Sequence, residues 1–113
     1  MIKVFHNPRC KKSCEGLKYL AEKSVDFQVI KYLDKGLTQE DIKEILLKLN
    51  CKPYDLVRTQ EELFKQQLKG KNFTDAEWVA ILIENPKLLK RPIALGKYKG
   101  VFAQPASLLD LIL

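Results

Sequence analysis

The order of elements legible in this chain predicts an α/β fold, a mixed four-stranded sheet with flanking helices and an inserted helical segment. Three observations carry that reading. A short apolar segment at the amino terminus runs through a turn into a segment of helical period and then into a second β-type segment. Two further short apolar segments near the carboxyl terminus are spaced as a hairpin. Between the two halves, threonine caps and apolar residues three and four apart recur.

Ile2 to Phe5 is mostly apolar and meets Asn7-Pro8, the pattern of a buried strand that ends in a turn. From Lys11 to about Lys23, Cys14, Leu17, Leu20 and Ala21 fall on one helical face, which predicts a helix with that stripe inward. Phe27 to Leu33 reads as a second strand closed by Asp34-Lys35-Gly36. Thr38 is an N-cap with Asp41 at the third helical position, and Ile42, Ile45, Leu46 and Leu49 carry the helix to Asn50. Thr59 to Glu62 and Thr74 to Glu77 both match the capping box, so helices are expected over Leu63, Phe64 and Leu68 and over Trp78, Val79, Ile81 and Leu82, the latter stopped by Pro86. Ile93-Ala94-Leu95 and Val101-Phe102-Ala103 flank Gly96 to Gly100 as a β-hairpin. Pro105 opens a terminal helix that packs Leu108, Leu109, Ile112 and Leu113.

The sum is β-α-β, three helices, β-β, α: a parallel pair joined by a right-handed crossover and extended by an antiparallel hairpin. Thioredoxin-like folds have that order. At 113 residues and 46% hydrophobic content, one domain spanning 1–113 is expected, with the helical insertion at about 38–90.

No apolar run approaches the roughly 20 residues of a spanning helix, and no basic-then-apolar leader is visible, so neither membrane insertion nor secretion is expected. The three cysteines, a close pair Cys10 and Cys14 and a distant Cys51, do not resemble a secreted disulfide framework, which favours a reducing cytoplasm. The formal charge of +6 comes from 17 lysines and only three arginines, Arg9, Arg58 and Arg91, against 14 acidic residues. The lysines form no dense block and accompany no nucleic-acid motif, so direct nucleic-acid binding is not expected. The few arginines matter individually, because a planar guanidinium fork suits a held oxyanion.

Cys10 falls at a strand-to-helix junction. Unsatisfied N–H groups and the positive end of the helix dipole favour thiolate there and also attract anions, and Arg9, Lys11 and Lys12 add to the potential. Cys10 is therefore the candidate nucleophile, against the alternative of an inert core thiol. Cys14, one turn further, is either core packing or a resolving thiol within disulfide reach of Cys10. Cys51 reads as structural. His6, the only histidine, rules out a multi-histidine metal site, and no metal is expected. It either steadies the thiolate or sits passively in the turn. Ser13 is a candidate donor to an oxyanion at the helix terminus.

Three segments, His6-Asn7-Pro8-Arg9-Cys10-Lys11-Lys12-Ser13, Leu56-Val57-Arg58-Thr59 and Lys90-Arg91-Pro92-Ile93, resemble in order and spacing the arsenate reductase family that uses glutaredoxin and glutathione. The resemblance covers nearly the whole chain. It implies that the Cys10 thiolate attacks an oxyanion such as arsenate, that Arg58 and Arg91 bind it, and that glutathione and glutaredoxin supply electrons with no bound cofactor. It places His6, Asn7, Arg9, Ser13 and Gln104 around the substrate, and likens Pro92 to the cis proline that faces the active cysteine. Two departures stand out. Gln104 precedes Pro105 where the family has a third arginine, which weakens binding of a dianion. Cys14 stands where many relatives have no cysteine, which opens an intramolecular resolving step. The same family contains Spx-like redox regulators that bind RNA polymerase; their C-x-x-C spacing differs from Cys10 and Cys14 here. A general thiol-disulfide reductase is the third alternative.

Overall fold

The computed structural model describes residues 1–113. Four strands, β1 (Ile2–Phe5), β2 (Phe27–Ile30), β3 (Ile93–Leu95) and β4 (Gly100–Phe102), form one sheet in the order β2-β1-β3-β4. β1 pairs with β2 in parallel, Ile2 with Phe27 through Phe5 with Ile30. It pairs antiparallel with β3, Phe5 opposite Ile93, and β3 pairs antiparallel with β4. Helix α1 (Lys11–Glu22) makes the crossover between the parallel strands.

Strand alternation divides the interior into two. Phe5, Ile93 and Leu95 face a larger cluster with Ile42 and Ile45 of α3 (Gln39–Leu49) and Trp78 and Leu82 of α4 (Asp75–Glu84). Val4 and Ala94 face the opposite side, against Leu20 of α1 and Leu109 near the carboxyl terminus. No helix is long and apolar enough to cross a membrane.

Thr38 and Thr74 form the expected capping boxes, each hydroxyl accepting from the N–H three residues on while Asp41 or Glu77 reaches back to the threonine N–H. The structure departs from the sequence reading in four places. The second strand ends at Ile30, where its partner β1 runs out and the His6 N–H reaches the Ile30 carbonyl at 3.0 Å. The chain then enters a one-turn helix, α2 (Tyr32–Lys35), which buries Tyr32 completely.

Thr59 forms no capping box. The Glu61 carboxylate accepts from Arg58 and that of Glu62 from Gln66, so neither folds back. Residues 59–61 form a turn and bend, and Phe64–Leu68 a π-helical turn closed by the Lys69 N–H on the Phe64 carbonyl at 2.8 Å. In α1 the period is the expected one but the phase differs: Ser13, Gly16 and Leu20 are buried, while Cys14 and Ala21 are exposed. Gly16 favours this phase, since a Cβ there would stand 3.2 Å from Pro92 Cγ and push the two apart by a few tenths of an ångström; the glycine face lets α1 lie this close to the proline.

The terminal segment Ala106–Ile112 is a 3-10 helix rather than an α-helix. Its three-residue repeat aligns Ala106, Leu109 and Ile112, leaving Leu108 and Leu113 exposed.

Candidate active site

Cys10 is the N-cap of α1, at the end of the loop that leaves the centre of the sheet. The loop is braced from within. Ser13 Oγ, fully buried, accepts the Asn7 N–H at 3.0 Å and lies 2.9 Å from His6 Nδ1. Asn7 Oδ1 accepts the Arg9 N–H at 2.9 Å, and the Cys10 N–H donates to the Asn7 carbonyl at 3.0 Å. Burial and the positive charge of Lys31 push the His6 imidazole down from its ordinary value, so it sits neutral in this network.

Arg58 and Arg91 arrive from distant parts of the chain. A bridge pairs Val57 with Leu89, flanked by Arg58 N–H to Leu88 carbonyl at 2.7 Å and Lys90 N–H to Leu56 carbonyl at 2.8 Å. This short ladder sets the two arginines side by side. Arg91 precedes Pro92, joined to it by a cis peptide bond, and Pro92 packs on Gly16 of the helix that begins at Cys10. Hence Arg91 reaches the thiol.

Cys10, Arg58, Arg91 and Gln104 line one cavity of about 400 Å³. Gln60, Lys90, Lys12 and Phe102 complete its wall. In the sequence Gln60 figured only within the Thr59 to Glu62 cap and Phe102 only within the hairpin; the tertiary fold is what brings them to the cavity that holds the thiol. The remaining residues of the expected set lie elsewhere. His6 and Ser13 sit buried behind the loop, and Asn7 and Arg9 border a separate cleft with Lys31 and Asp34. Cys14 points away from the cavity, its Sγ 3.4 Å from the Pro8 carbonyl. Cys51 is half-buried against the larger core, and burial, with Asp55 adding to it, pushes its thiol up.

Burial by itself raises the Cys10 thiol, yet the opposing contributions prevail and its pKa falls below the ordinary value. They are the Ser13 N–H, the hydrogen bond and charge of Arg91, and the Lys12 N–H. The electrostatics favour a thiolate. Glu61, which the sequence offered only as part of a cap, stands behind the arginine pair: its Oε1 is 2.8 Å from Arg58 Nη1 and 3.9 Å from Arg91 Nη1.

A thiolate-stabilising helix start on a thioredoxin-like sheet, facing two guanidinium groups, defines a thiol-dependent oxidoreductase. The chain belongs to the ArsC family, whose model matches residues 5–103. It is similar to an arsenate reductase of Neisseria meningitidis, at 32% identity over 99% of this chain and 97% of that protein. Among solved structures, an arsenate reductase from Vibrio cholerae superposes with a TM-score of 0.92 at 32% identity, covering 99% of this chain and 97% of that one. A putative arsenate reductase from Yersinia pestis also gives 0.92, at 31% identity over 99% and 100% of the two chains.

Proposed function

We propose that this protein reduces arsenate to arsenite, with Cys10 as the nucleophile and Arg58 and Arg91 as the anion-binding groups. The observation that carries this reading is the convergence of one thiol and two guanidinium groups on a single cavity. The Cys10 thiolate attacks arsenic(V), an S–As bond forms, and one oxygen leaves as water after protonation. A glutathione thiolate then attacks the Cys10 sulfur. The S–As bond breaks with its electron pair passing to arsenic, which becomes arsenite, and a mixed disulfide of Cys10 and glutathione remains. Glutaredoxin reduces that disulfide and frees the thiol.

The guanidinium groups offset charge on the bound tetrahedral anion and on the oxygen that departs, where fixed donors stabilise the transition state most. Gln104 donates without charge. An external donor is favoured over Cys14 as the resolving thiol, because Cys14 Sγ is turned to the Pro8 carbonyl and lines no part of the cavity. On this reading the protein works in a reducing cytoplasm, where glutathione is kept as the thiol.

The test is arsenite formation by the purified protein with glutathione and glutaredoxin, run beside Cys10→Ser. Turnover that disappears in the variant supports the assignment. No turnover, together with a Cys10–Cys14 disulfide under mild oxidant, replaces it with a thiol redox enzyme or sensor.

A further inference from the structure

Two buried side-chain polar atoms in this molecule lack a hydrogen-bond partner: Tyr32 Oη and Arg91 Nε. Tyr32 is wholly buried, carried by α2, and the charged groups close enough to act on its hydroxyl are Arg91, Cys10 and Arg58. Arg91 Nη1 donates to the Lys87 carbonyl at 3.2 Å with Glu61 at 3.9 Å, while its side chain is 11% exposed and its Nε is left unmet. The two orphans are complementary, a hydroxyl oxygen with free lone pairs and an N–H. An unmade hydrogen bond is costly in the interior, so the pairing of the two is favoured over leaving both unmet.

We propose that Tyr32 is a positioning residue for the thiol chemistry, its hydroxyl accepting the Arg91 Nε–H when the guanidinium turns to the Cys10 thiolate and so fixing the plane of that guanidinium against Cys10. Tyr32 does not line the cavity and touches no substrate; it acts through Arg91. Burial pushes its hydroxyl up to about 12, so the phenol stays neutral and offers an uncharged acceptor to the guanidinium throughout the working range. A phenylalanine would fill the same space. The hydroxyl therefore adds a buried polar atom that packing alone does not require.

This inference rests on Arg91 as the anion-binding and thiolate-stabilising group, so its test uses a readout that needs no turnover. The ultraviolet absorbance of the Cys10 thiolate is titrated in Tyr32→Phe on a background in which Cys14 and Cys51 are serine, with and without Arg91→Lys, beside thermal unfolding. Expected are an unfolding temperature equal to or above that of the parent, and a Cys10 midpoint moved upward by about half a pH unit, roughly a threefold loss of thiolate below the midpoint. In the Arg91→Lys background the Tyr32→Phe change should add nothing to the midpoint. An unchanged midpoint, an equal shift in both backgrounds, or a variant that fails to fold would each overturn the proposal and leave the hydroxyl a structural feature. Failure of arsenate turnover in the parent, with these titration results intact, would overturn the substrate assignment alone.

Discussion

Glu61 Oε1 accepts from Arg58 Nη1 at 2.8 Å, so one of the two guanidinium groups that line the thiol cavity already carries an anionic partner. The pair is built by the turn itself, since the Glu61 N–H also donates to the Arg58 carbonyl at 3.2 Å. An incoming oxyanion therefore meets Arg58 with its charge partly offset. Glu61→Gln keeps an oxygen acceptor for Arg58 while removing the charge. Tighter oxyanion binding is expected, by about 1 kcal/mol or roughly fivefold for a partly screened charge at this range. Arsenate KM, or the inhibition constant of sulfate as a competing anion, measures it.

Replacing either arginine by lysine separates oxyanion chemistry from thiol exchange. Lysine preserves one charge but loses the planar fork, so Arg58→Lys or Arg91→Lys should lower kcat/KM for arsenate by roughly tenfold or more while reduction of a small disulfide changes little. Parallel assays on the two substrates decide it. Equal losses on both would point to a general thiol-disulfide reductase.

The pH dependence follows from the direction of the Cys10 shift. Thiolate is the reactive form and its fraction rises with pH, so a pKa held down moves the half-maximal rate of Cys10 alkylation to a lower pH than an ordinary cysteine shows. Arg91→Gln removes a hydrogen bond and a charge that favour the thiolate, and the midpoint should move up. Iodoacetamide modification followed by mass spectrometry across a pH series reads both.

Gln104 borders the cavity and precedes Pro105. Gln104→Arg adds a third cation where the chain has a neutral donor. Arsenate KM should fall by roughly tenfold, the scale of one charged hydrogen bond in place of a neutral one. An unchanged KM would show that position 104 does not reach the bound anion.

Ser13→Ala should unfold the protein more easily by about 1–3 kcal/mol, because the Asn7 N–H and His6 Nδ1 both lose their buried partner. Denaturant midpoints give the stability change. The same variant should slow Cys10 alkylation, since the loop that presents the thiol is braced by that hydroxyl.

What the amino-acid sequence determined by itself was local. The strand at Ile2–Phe5, the caps at Thr38 and Thr74, the hairpin around Gly96 to Gly100 and the cysteine at a helix start all depend on residues within a few positions of one another. Period and capping chemistry report such features directly. The motifs around Cys10, Arg58 and Arg91 were legible as well, by residue type and order.

Tertiary structure decided the rest. The sequence could not show that Thr59 would lose its cap, because the competing partner of Glu61 is the Arg58 side chain, held in place by the pairing of residues 57–58 with 88–89. Nor did helical period disclose that Cys14 faces outward; the close approach of Gly16 to Pro92, about 76 positions apart by residue number, favours the phase that α1 adopts. His6, Asn7 and Ser13 resembled substrate ligands in sequence, but in space Ser13 Oγ meets His6 Nδ1 and the Asn7 N–H, and Asn7 Oδ1 accepts the Arg9 N–H. Gln60 and Tyr32 acquire their places only when segments far apart in the chain are packed on the same sheet. Contacts between distant segments leave no periodic signal in the chain, and in this protein they decide which of the polar residues reach the thiol.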